Sequence, residues 1–481
     1  ASWEDKTGYI RDASDIVQGI TQSNLYSLAT NVTCKKNSFV VYNPLPWKRS
    51  GVVEIDGRKI YVKNIPSSGY QVIPVKSMDK GGHEQSGNSI ENDYYKITFD
   101  PAKGCIVSLF DKKTGREWVD KKADLGFGQY LNERFTFEQA LDYTLAYQQG
   151  RAGDWPHPGI HKPGMISEKE VPYRAASPKD GNLKISGDSY VQMAELLMPS
   201  DKSRHLPASI LRISLYKDQP YMDMEVVIQG KEKDNWPEAD WLCLPFRIDR
   251  PEFNVYRQLG VMNPATDILP GANHHLYTAE HGVTITGTDG AGIAVCPLDH
   301  PLISLGVPGC WKCSDDYVPE QPVVYLNLYN NQWNTNFRYW YPGTWSSRVR
   351  IWTVEKGTTP EERSRLFMTS ALEARNPLQA IPVKEKRGNL PAVQSGLEVS
   401  RPGVTVTAFG ADPDGNTGTL RVWEQAGVSG KLMITLPKGM NTSVAVPVNL
   451  RGEKKGEPIP VKSGKFELDL GAYAPASFIL E

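Results

Sequence analysis

The feature that most constrains the fold is a long series of short strand-like runs with no helices between them. Residues 94–99 and 105–110 begin a meander with polar turns, and residues 211–216 and 221–228 form a further pair with apolar residues on alternate positions. Strands that do not alternate with helices cannot be joined by parallel crossovers, so they predict antiparallel sheets packed face to face. The sequence therefore predicts a mainly β protein that contains a large antiparallel double sheet.

The length and two polar links predict how the chain is divided. A chain of 481 residues is too long for one hydrophobic core. A Gly/Ser/Asn-rich link precedes residue 90, and a link of mixed charge and proline follows residue 375. We predict four parts: an N-terminal helix at residues 1–35, a small β-sandwich at 36–85, a large β-sandwich at 86–385 and a C-terminal β-sandwich at 386–481.

The N-terminal segment is the one long helix that the sequence predicts. Its apolar residues recur near helical spacing on one face, namely Tyr9, Ala13, Ile16, Val17, Ile20 and Leu28. An amphipathic helix buries its apolar face against something, yet no second long helix is predicted after it. We therefore expect either that this helix lies on the β domains, or that its partners belong to sequence upstream and the chain is part of a larger protein.

Charge, hydropathy and cysteine content exclude several classes of function. The chain has 54 basic and 55 acidic residues, which does not predict a nucleic-acid partner. No apolar run approaches the roughly 20 residues that cross a bilayer, so no membrane partner is expected either. Cys310 and Cys313 have CxxC spacing, but no second such pair follows, and we interpret them as a structural or incidental pair rather than a redox centre.

An asparagine-rich stretch follows the strand-like run at 323–329. Within it and just after it we predict five substrate-binding residues, namely Asn330, Asn331, Trp333, Asn336 and Trp340. Carboxamides offer donors and acceptors to a ligand rich in hydroxyls, and flat rings cover the apolar face of a sugar. The alternative is a turn in which the asparagines bond their own backbone. The first interpretation predicts Trp333 and Asn336 at a solvent-accessible rim.

His274, His275 and Tyr277 are the remaining predicted substrate-binding residues. Neighbouring residues on a strand point to opposite faces, so the two histidines do not readily bind one metal ion. We favour a hydrogen-bonded loop at the rim of a cleft over metal binding or acid–base catalysis.

Other candidates have simpler interpretations. Prolines around His157 and His161 prevent a helical zinc pair. We interpret the acids and tryptophans at 234–241 as a solvated turn with one tryptophan buried. Asp315 and Asp316 are interpreted as a second solvated turn rather than a calcium site. No catalytic residue and no metal ligand is predicted in this chain.

Four segments, in the same order along the chain, carry a resemblance to a known family. They are VYNPLPWKR at 41–49, IENDYY at 90–95 with SLFDKKTGRE at 108–117, NNQWNTNF at 330–337, and LRVWE at 420–424 with Gly427. Together they resemble the C-terminal β region of glycoside hydrolase family 38, the retaining α-mannosidases.

The resemblance implies an architecture and a set of partners. It implies a catalytic α/β barrel and a helical bundle that precede several β-sandwiches, the largest of them a galactose-mutarotase-like supersandwich. In that arrangement residues 3–29 are the last helix of the bundle. The implied partners are the barrel of the same full-length protein and a mannose-containing glycan, and the implied location is periplasmic, secreted or lysosomal.

One departure from the family limits what the resemblance implies for this chain. The family binds its catalytic zinc through a His-x-Asp pair with a further Asp and His, and none of the eight histidines here has Asp two places later. We therefore expect no cofactor in this chain, zinc in the missing barrel, and no hydrolysis by the chain alone. The alternatives are a stand-alone carbohydrate-binding protein, or a mutarotase-like epimerase that uses His275 with a nearby glutamate.

Overall fold

The structure is a computed structural model. It describes residues 2–34, 38–55, 57–74, 83–147, 172–234, 236–257, 260–332, 340–383, 385, 387–411 and 418–481. The chain forms two compact units, of which unit 1 comprises residues 1–7, 81–257 and 261–357 and unit 2 comprises residues 8–80, 258–260 and 358–481. The predicted division into four parts is finer than this and stays a prediction.

The elements follow one another in three runs along the chain. The first run is α1 (Ser2–Asn31), β1 (Ser38–Tyr42), β2 (Arg49–Ile55), β3 (Arg58–Ile65) and β4 (Tyr70–Pro74). The second run begins with β5 (His83–Gln85), β6 (Ser89–Glu91), β7 (Tyr95–Asp100), β8 (Cys105–Asp111), β9 (Arg116–Glu117), β10 (Gln129–Arg134), α2 (Phe137–Tyr147), β11 (Arg174–Ala176), β12 (Asn182–Gly187) and β13 (Val191–Met198).

The second run continues with β14 (Ala208–Tyr216), β15 (Tyr221–Lys231), β16 (Glu238–Pro245), β17 (Glu252–Arg257), β18 (Gly260–Met262), β19 (Tyr277–Thr278), β20 (Gly282–Thr286), β21 (Gly292–Pro297), β22 (Leu302–Leu305), β23 (Val323–Asn330) and β24 (Gly343–Val354). The third run is α3 (Pro360–Arg375), β25 (Gln379–Val383), β26 (Val393–Gln394), β27 (Glu398–Val399), β28 (Val404–Ala411), β29 (Gly418–Glu424), β30 (Gly430–Thr435), β31 (Val444–Val448), β32 (Ile459–Pro460), β33 (Lys465–Leu470) and β34 (Pro475–Leu480).

Unit 1 contains a large antiparallel double sheet. One layer has ten strands in the order β18-β17-β20-β21-β24-β15-β14-β13-β12-β5, and the other has six in the order β11-β10-β16-β23-β22-β19. A four-stranded sheet, β6-β7-β8-β9, adds side chains to the same core. One apolar cluster joins the layers and includes Met224 of β15, Leu244 of β16 and Ile97 of β7. The predicted mainly β fold with antiparallel sheets is confirmed.

The period-two pattern of the sequence explains which faces the strands bury. Along β15, Met222, Met224, Val226 and Ile228 point into the core while the residues between them are more exposed. Strand β16 differs because every residue in it is buried. Its even-numbered residues face the core between the layers, and Trp241 and Cys243 face a second apolar cluster with Trp311 and Tyr143 of α2. The six-stranded sheet is thus covered on both faces.

Unit 2 is made of smaller sheets. They are β25-β1-β4-β26, the hairpin β2-β3, β27-β30-β33, and β28-β29-β34-β31-β32. In β1, Phe39 and Val41 pack against the hairpin, and Val40 on the other face packs with Ala29 and Val32 at the end of α1. The C-terminal end of α1 is therefore anchored in this unit.

The helices differ in part from the sequence-based predictions. Helix α1 forms where it was predicted, but its apolar face is open, since Ile16 and Ile20 are 62% and 57% exposed. Two helices were not predicted. Helix α3 has buried residues on one side, among them Phe367 and Ala371, and α2 buries Ala140 and Tyr143. Among the described residues no helix is both long and apolar enough to cross a membrane.

Candidate functional site

A cluster of buried charges lies at the end of the double sheet where β15 and β23 end and β16 begins. Glu238 and Asp240 are both at most 1% exposed and share the face of β16 that carries Leu242 and Leu244 into the core. Lys231, the last residue of β15, is 6% exposed and places its Nζ 2.5 Å from Glu238 Oε1. Two carboxyl groups and one ammonium group therefore meet in the interior.

A β-bulge turns Lys231 towards the carboxyl groups. The pairing of β15 with β24 is regular up to Ile228 opposite Trp345, then shifts so that Lys231 lies opposite Gly343. Without the extra residue, regular alternation from Ile228 would point Gly230 inward and Lys231 outward. Gly230 itself has a φ of 59°, which glycine adopts without strain. The bulge thus brings the cation to the cluster.

Asn132 of β10 forms hydrogen bonds with the carboxyl groups. It lies directly opposite Asp240 in the pairing of β10 with β16. Its Nδ2 donates to Asp240 Oδ1 at 2.6 Å and also approaches Glu238 Oε2 at 3.3 Å. One amide group therefore bridges the two acids.

The shared burial determines the charge state of the cluster. Burial raises the pKa of Glu238 and of Asp240, and the Lys231 charge opposes that rise. Burial alone would lower the pKa of Lys231, but the charges of Asp240 and Glu238 raise it. Because one ammonium group cannot neutralise two buried carboxylates, the pair of acids retains a proton more tightly than free carboxyl groups do.

The predicted asparagines lie beside this cluster and bond the protein's own groups. Asn331 is 1% exposed, its Oδ1 accepts from the backbone N–H of Glu238 at 2.9 Å, and its Nδ2 donates to the carbonyl of Trp236 at 2.5 Å. Asn330 donates through Nδ2 to Asn327 Oδ1 at 2.8 Å. These contacts correspond to the alternative in which asparagines stabilise their own loop. Substrate binding by Asn330 and Asn331 stays a prediction.

The aromatic part of the asparagine-rich stretch is described only at its end. Trp333 and Asn336, predicted at a solvent-accessible rim, lie outside the described residues. Trp340 is half-buried, and the ammonium group of Lys233 lies 3.9 Å from the centre of its ring. A cation over an indole ring is a favourable contact. The face of Trp340 that a sugar could cover thus has a lysine of the protein on one side.

His274, His275 and Tyr277 form a second group that belongs to the start of β19. His275 is 8% exposed, its ring stacks on Tyr317 at 4.6 Å between centroids, and its Nε2 lies 2.9 Å from Ser314 Oγ. His274 Nδ1 lies 3.0 Å from the carbonyl oxygen of Tyr317. Burial, with the nearby charge of Lys312, lowers the pKa of His275 to about 4, so the ring is neutral at pH 7.

The structure does not bring the two predicted groups together. Strands β19 and β23 each pair antiparallel with β22, so they run parallel to each other. The histidines precede β19, whereas Asn330 is the last residue of β23 and Asn331 follows it, so the two groups lie towards opposite ends of the six-stranded sheet. A site made of both groups would need residues from two ends of one sheet.

One sequence-based interpretation is wrong, and it concerns the charged cluster itself. The acids and tryptophans at 234–241 are not a solvated turn, because β16 begins at Glu238 and both Trp236 and Trp241 are buried. Alternation of acidic with apolar residues from Glu238 to Leu242 was the available signal. It was missed because buried carboxyl groups are rare unless they are paired, and their partner Lys231 is brought in by a bulge.

The described residues do not fit a zinc ion. Within the described ranges no group of three or more His, Cys, Asp or Glu side chains could hold a metal ion. His274 and His275 direct their nitrogens to different partners, a carbonyl and a hydroxyl group. Cys310 and Cys313 are free thiols whose pKa values burial raises, which disfavours the thiolate that binds metal or attacks disulfides.

The fold and site define a class of protein, namely a set of antiparallel β-sandwiches with an N-terminal helix, in which the largest sandwich contains an internal charged cluster. No protein family model and no curated protein sequence matches the chain. Solved structures share its fold. An α-mannosidase from Enterococcus faecalis V583 is similar with a TM-score of 0.66 at 11% identity, over 98% of this chain and 59% of that one.

A glycosyl hydrolase family 38 protein from Enterococcus faecalis is similar to the same degree, with a TM-score of 0.66 at 11% identity, over 98% of this chain and 62% of that one. The predicted resemblance to family 38 is thus confirmed at the level of fold, and the chain spans about three fifths of each of these structures. A galactose mutarotase-like protein from Lactobacillus casei ATCC 334 aligns over 56% of this chain with a TM-score of 0.31.

Proposed function

We propose that this chain is the non-catalytic β portion of a family 38-like retaining α-mannosidase. In this proposal it supports a catalytic barrel and lines part of the cleft that receives a mannose-containing glycan. The observation that carries the proposal is the extent of the fold similarity. It covers 98% of this chain but only 59% of an α-mannosidase structure, which leaves room in such a protein for a separate catalytic domain.

The open face of α1 supports the first half of the proposal. Ile16, Val17 and Ile20 are 57–62% exposed along one side of the helix, whereas the end of α1 is anchored in unit 2 through Ala29 and Val32. Amphipathic helices are stabilised mainly by burying such a face. The barrel side of the full-length protein is the partner that we propose for it.

The buried cluster supports the second half of the proposal. Asn331 connects the end of β23 to the start of β16, and Lys231 holds Glu238 from the opposite layer. These contacts fix the position of Asn331 at the start of the asparagine-rich stretch, and residues that contact a ligand require such fixed support. The asparagine-rich stretch is accordingly the segment of this chain that we assign to the cleft.

The proposal assigns zinc and the two catalytic carboxyl groups to the barrel, and the location to the periplasm, the lysosome or the outside of the cell. Retaining hydrolysis requires two carboxyl groups about 5 Å apart across the scissile bond. Glu238 and Asp240 are covered by the core and bonded to Lys231 and Asn132, so they are unsuited to that role. The epimerase alternative is less favoured because its proposed acid or base, His275, is buried against Tyr317.

An activity measurement tests this function. The purified chain is expected to release no p-nitrophenol from p-nitrophenyl α-mannoside, with or without added zinc. The barrel encoded in the same reading frame, produced separately, is expected to gain activity when this chain is added. Turnover that follows this chain through two unrelated purification steps would contradict the proposal. Full activity of the barrel in its absence would contradict the supporting role.

A further inference from the structure

A cavity lies on the outer face of the six-stranded sheet, on the side opposite the charged cluster. Its volume is about 940 Å³, and its lining includes Leu131 and Glu133 of β10, Val323 and Tyr325 of β23, and Ala175 of β11. Residues Leu131 and Glu133 alternate with Asn132, so they point away from Asp240 and the core between the layers. A cavity of this size accommodates a mono- or disaccharide.

Glu133 is a buried carboxyl group with acceptor capacity to spare. It is 2% exposed, accepts from the Tyr173 hydroxyl at 2.6 Å through Oε1, and accepts from Trp241 Nε1 at 2.8 Å through Oε2. Among the described residues no lysine, arginine or histidine forms a salt bridge with it within 4.0 Å. A carboxylate has about four acceptor positions, of which these donors use two. Glu133 is among the residues that line the cavity, so the remaining acceptor positions are the ones that we assign to a ligand.

Apolar and aromatic surface adjoins this carboxyl group. Tyr325 and Leu131 are 8% and 3% exposed and line the same cavity. The Tyr325 ring is fixed by an edge-on contact with Trp241, at 6.1 Å between centroids. Trp241 therefore holds both the ring of Tyr325 and the carboxyl group of Glu133. A pyranose has hydroxyl donors at its edge and apolar C–H groups on its face, so it matches both kinds of group.

The charges at the rim argue for a neutral ligand. Lys122, Arg174 and Lys179 line the cavity, and so do Asp120, Asp124 and Glu133. Arg204 also lines it, but its guanidinium is paired with Asp201 at 2.6 Å. Since acids and bases are mixed around the opening, neither a phosphate nor a polyamine finds a field of one sign.

We propose that this cavity binds a neutral pyranose, with Glu133 accepting hydrogen bonds from its hydroxyl groups and Tyr325 covering its C–H face. The site is made of this chain alone, and neither Asn330 nor Asn331 is among its lining residues. It therefore goes beyond the proposed function and does not depend on a catalytic barrel. Its role would be to hold a second part of a glycan, or a separate sugar, on the β portion.

Sugar binding to the isolated chain tests the site. The probes are methyl α-D-mannopyranoside, methyl α-D-glucopyranoside and methyl β-D-galactopyranoside, observed by saturation-transfer NMR and titration. At least one is expected to bind. Glu133→Gln is expected to weaken binding about tenfold or more, because hydrogen bonds to a charged acceptor are replaced by weaker ones. The amide can still bond Tyr173 and Trp241, so the fold is expected to persist.

A second variant and a control separate binding from folding. Ala175→Trp fills the cavity from its edge, since Ala175 is exposed and lies opposite Glu133; it is expected to abolish binding without removing any hydrogen bond. Glu457→Gln, an exposed carboxyl group in unit 2, is the matched control. Circular dichroism checks that each variant is folded.

The remaining outcomes overturn the proposal. The cavity is not a sugar site if none of the three glycosides binds the wild-type chain, or if Ala175→Trp binds as well as the wild type. The role of Glu133 is wrong if Ala175→Trp blocks binding and Glu133→Gln does not weaken it. An equal loss in Glu457→Gln shows that the signal arises elsewhere.

Discussion

Lys231 is the residue on which the charged cluster depends. It faces two buried carboxyl groups, and it lies on the opposite layer of the double sheet from both. Desolvation makes such a cluster a poor source of net stability, but removing one partner leaves charges buried without compensation. The cluster is therefore more informative about the position of β15 relative to β16 than about total stability.

The first prediction concerns this lysine. Lys231→Met should lower the free energy of unfolding of unit 1 by about 3–5 kcal/mol at neutral pH, because Glu238 loses the only ammonium group bonded to it among the described residues and Asp240 loses the nearby charge of that group. Urea denaturation followed by tryptophan fluorescence measures this. Lys431→Met, which breaks an exposed pair with Glu467, is the control and should cost no more than about 1 kcal/mol. Equal losses in both variants would contradict the role of Lys231.

The second prediction concerns pH. Burial raises the pKa of Glu238 to about 7, while in the unfolded chain it is near 4.3. The folded protein then binds more protons than the unfolded one between these values, so stability should fall as pH rises from about 4.3 to about 7. Glu238→Gln should flatten this slope, whereas Glu467→Gln should retain it. Urea denaturation midpoints measured across that pH range test this prediction. An unchanged slope in Glu238→Gln would contradict the assignment of the pH dependence to Glu238.

At the scale of single residues, the sequence predicts the kind of contact that a side chain makes better than it predicts the partner of that contact. The amide group of Asn331 predicts hydrogen bonding, and that group does bond at the end of β23, but to Trp236 and Glu238 of the protein itself. The sequence does not predict a role for Glu133, because a single glutamate in a strand has no motif. Its significance comes from Tyr173 and Trp241, which are distant in sequence and adjacent only in the folded sheet.

Among the elements, the strands were predictable and two helices were not. The apolar run at 323–329 becomes β23 at Val323–Asn330, because alternation and β-branched residues are local signals. Helix α3 was missed although its N-terminus carries a clear signal, Thr359 followed by Pro360 and Glu362. Its buried residues, such as Phe367 and Ala371, are spaced at four, but charged residues between them obscure the pattern.

The third prediction tests that signal. Thr359 Oγ1 accepts from the backbone N–H of Glu362 at 3.2 Å, as an N-cap does. Thr359→Ala should therefore lower the stability of unit 2 by about 1 kcal/mol, and Thr359→Ser should restore most of it. Thermal unfolding with both variants measures the effect. If serine is no better than alanine, the hydroxyl does not cap α3.

The fourth prediction concerns α1. Ile16→Glu with Ile20→Glu should leave the melting temperature of the isolated chain unchanged, since both side chains are more than half exposed. If the proposed function is right, the pair should lower the stability and the α-mannosidase activity of the full-length protein, because unpaired charges would enter the proposed contact. Gln22→Glu, about 200° around the helix from Ile20, is the control. A full-length protein that tolerates both changes equally would leave α1 without the proposed partner.

At the scale of the whole molecule, short sequence patterns predicted the fold better than overall sequence identity does. Four short segments predicted a fold that the two solved structures share at only 11% identity. This is understandable because a sheet needs alternating apolar residues and turns rather than particular side chains. The arrangement of the charged cluster, unlike the fold, does not follow from local sequence patterns. Lys231 reaches Glu238 only through a bulge between two layers, and no local pattern encodes that meeting.

The six cysteines are distributed over both compact units, so their reactivity reports on burial in each unit. Five of them are buried and Cys313 is partly exposed. Cys34 belongs to the core of unit 2, and the others belong to unit 1. Burial raises the pKa values of Cys310 and Cys313, so little of either thiol is present as the reactive thiolate.

The fifth prediction follows from this distribution. Under native conditions iodoacetamide should modify at most Cys313, and slowly, whereas in urea all six thiols should react, as intact mass would show. Cys313→Ser should remove the native modification and leave five sites in urea. Rapid modification of both Cys310 and Cys313, or a mass two hydrogens lower that reduction restores, would instead make this pair a redox centre. The other five cysteines are distributed over both units. Their protection from iodoacetamide would therefore also show that the reagent does not reach the core of either unit.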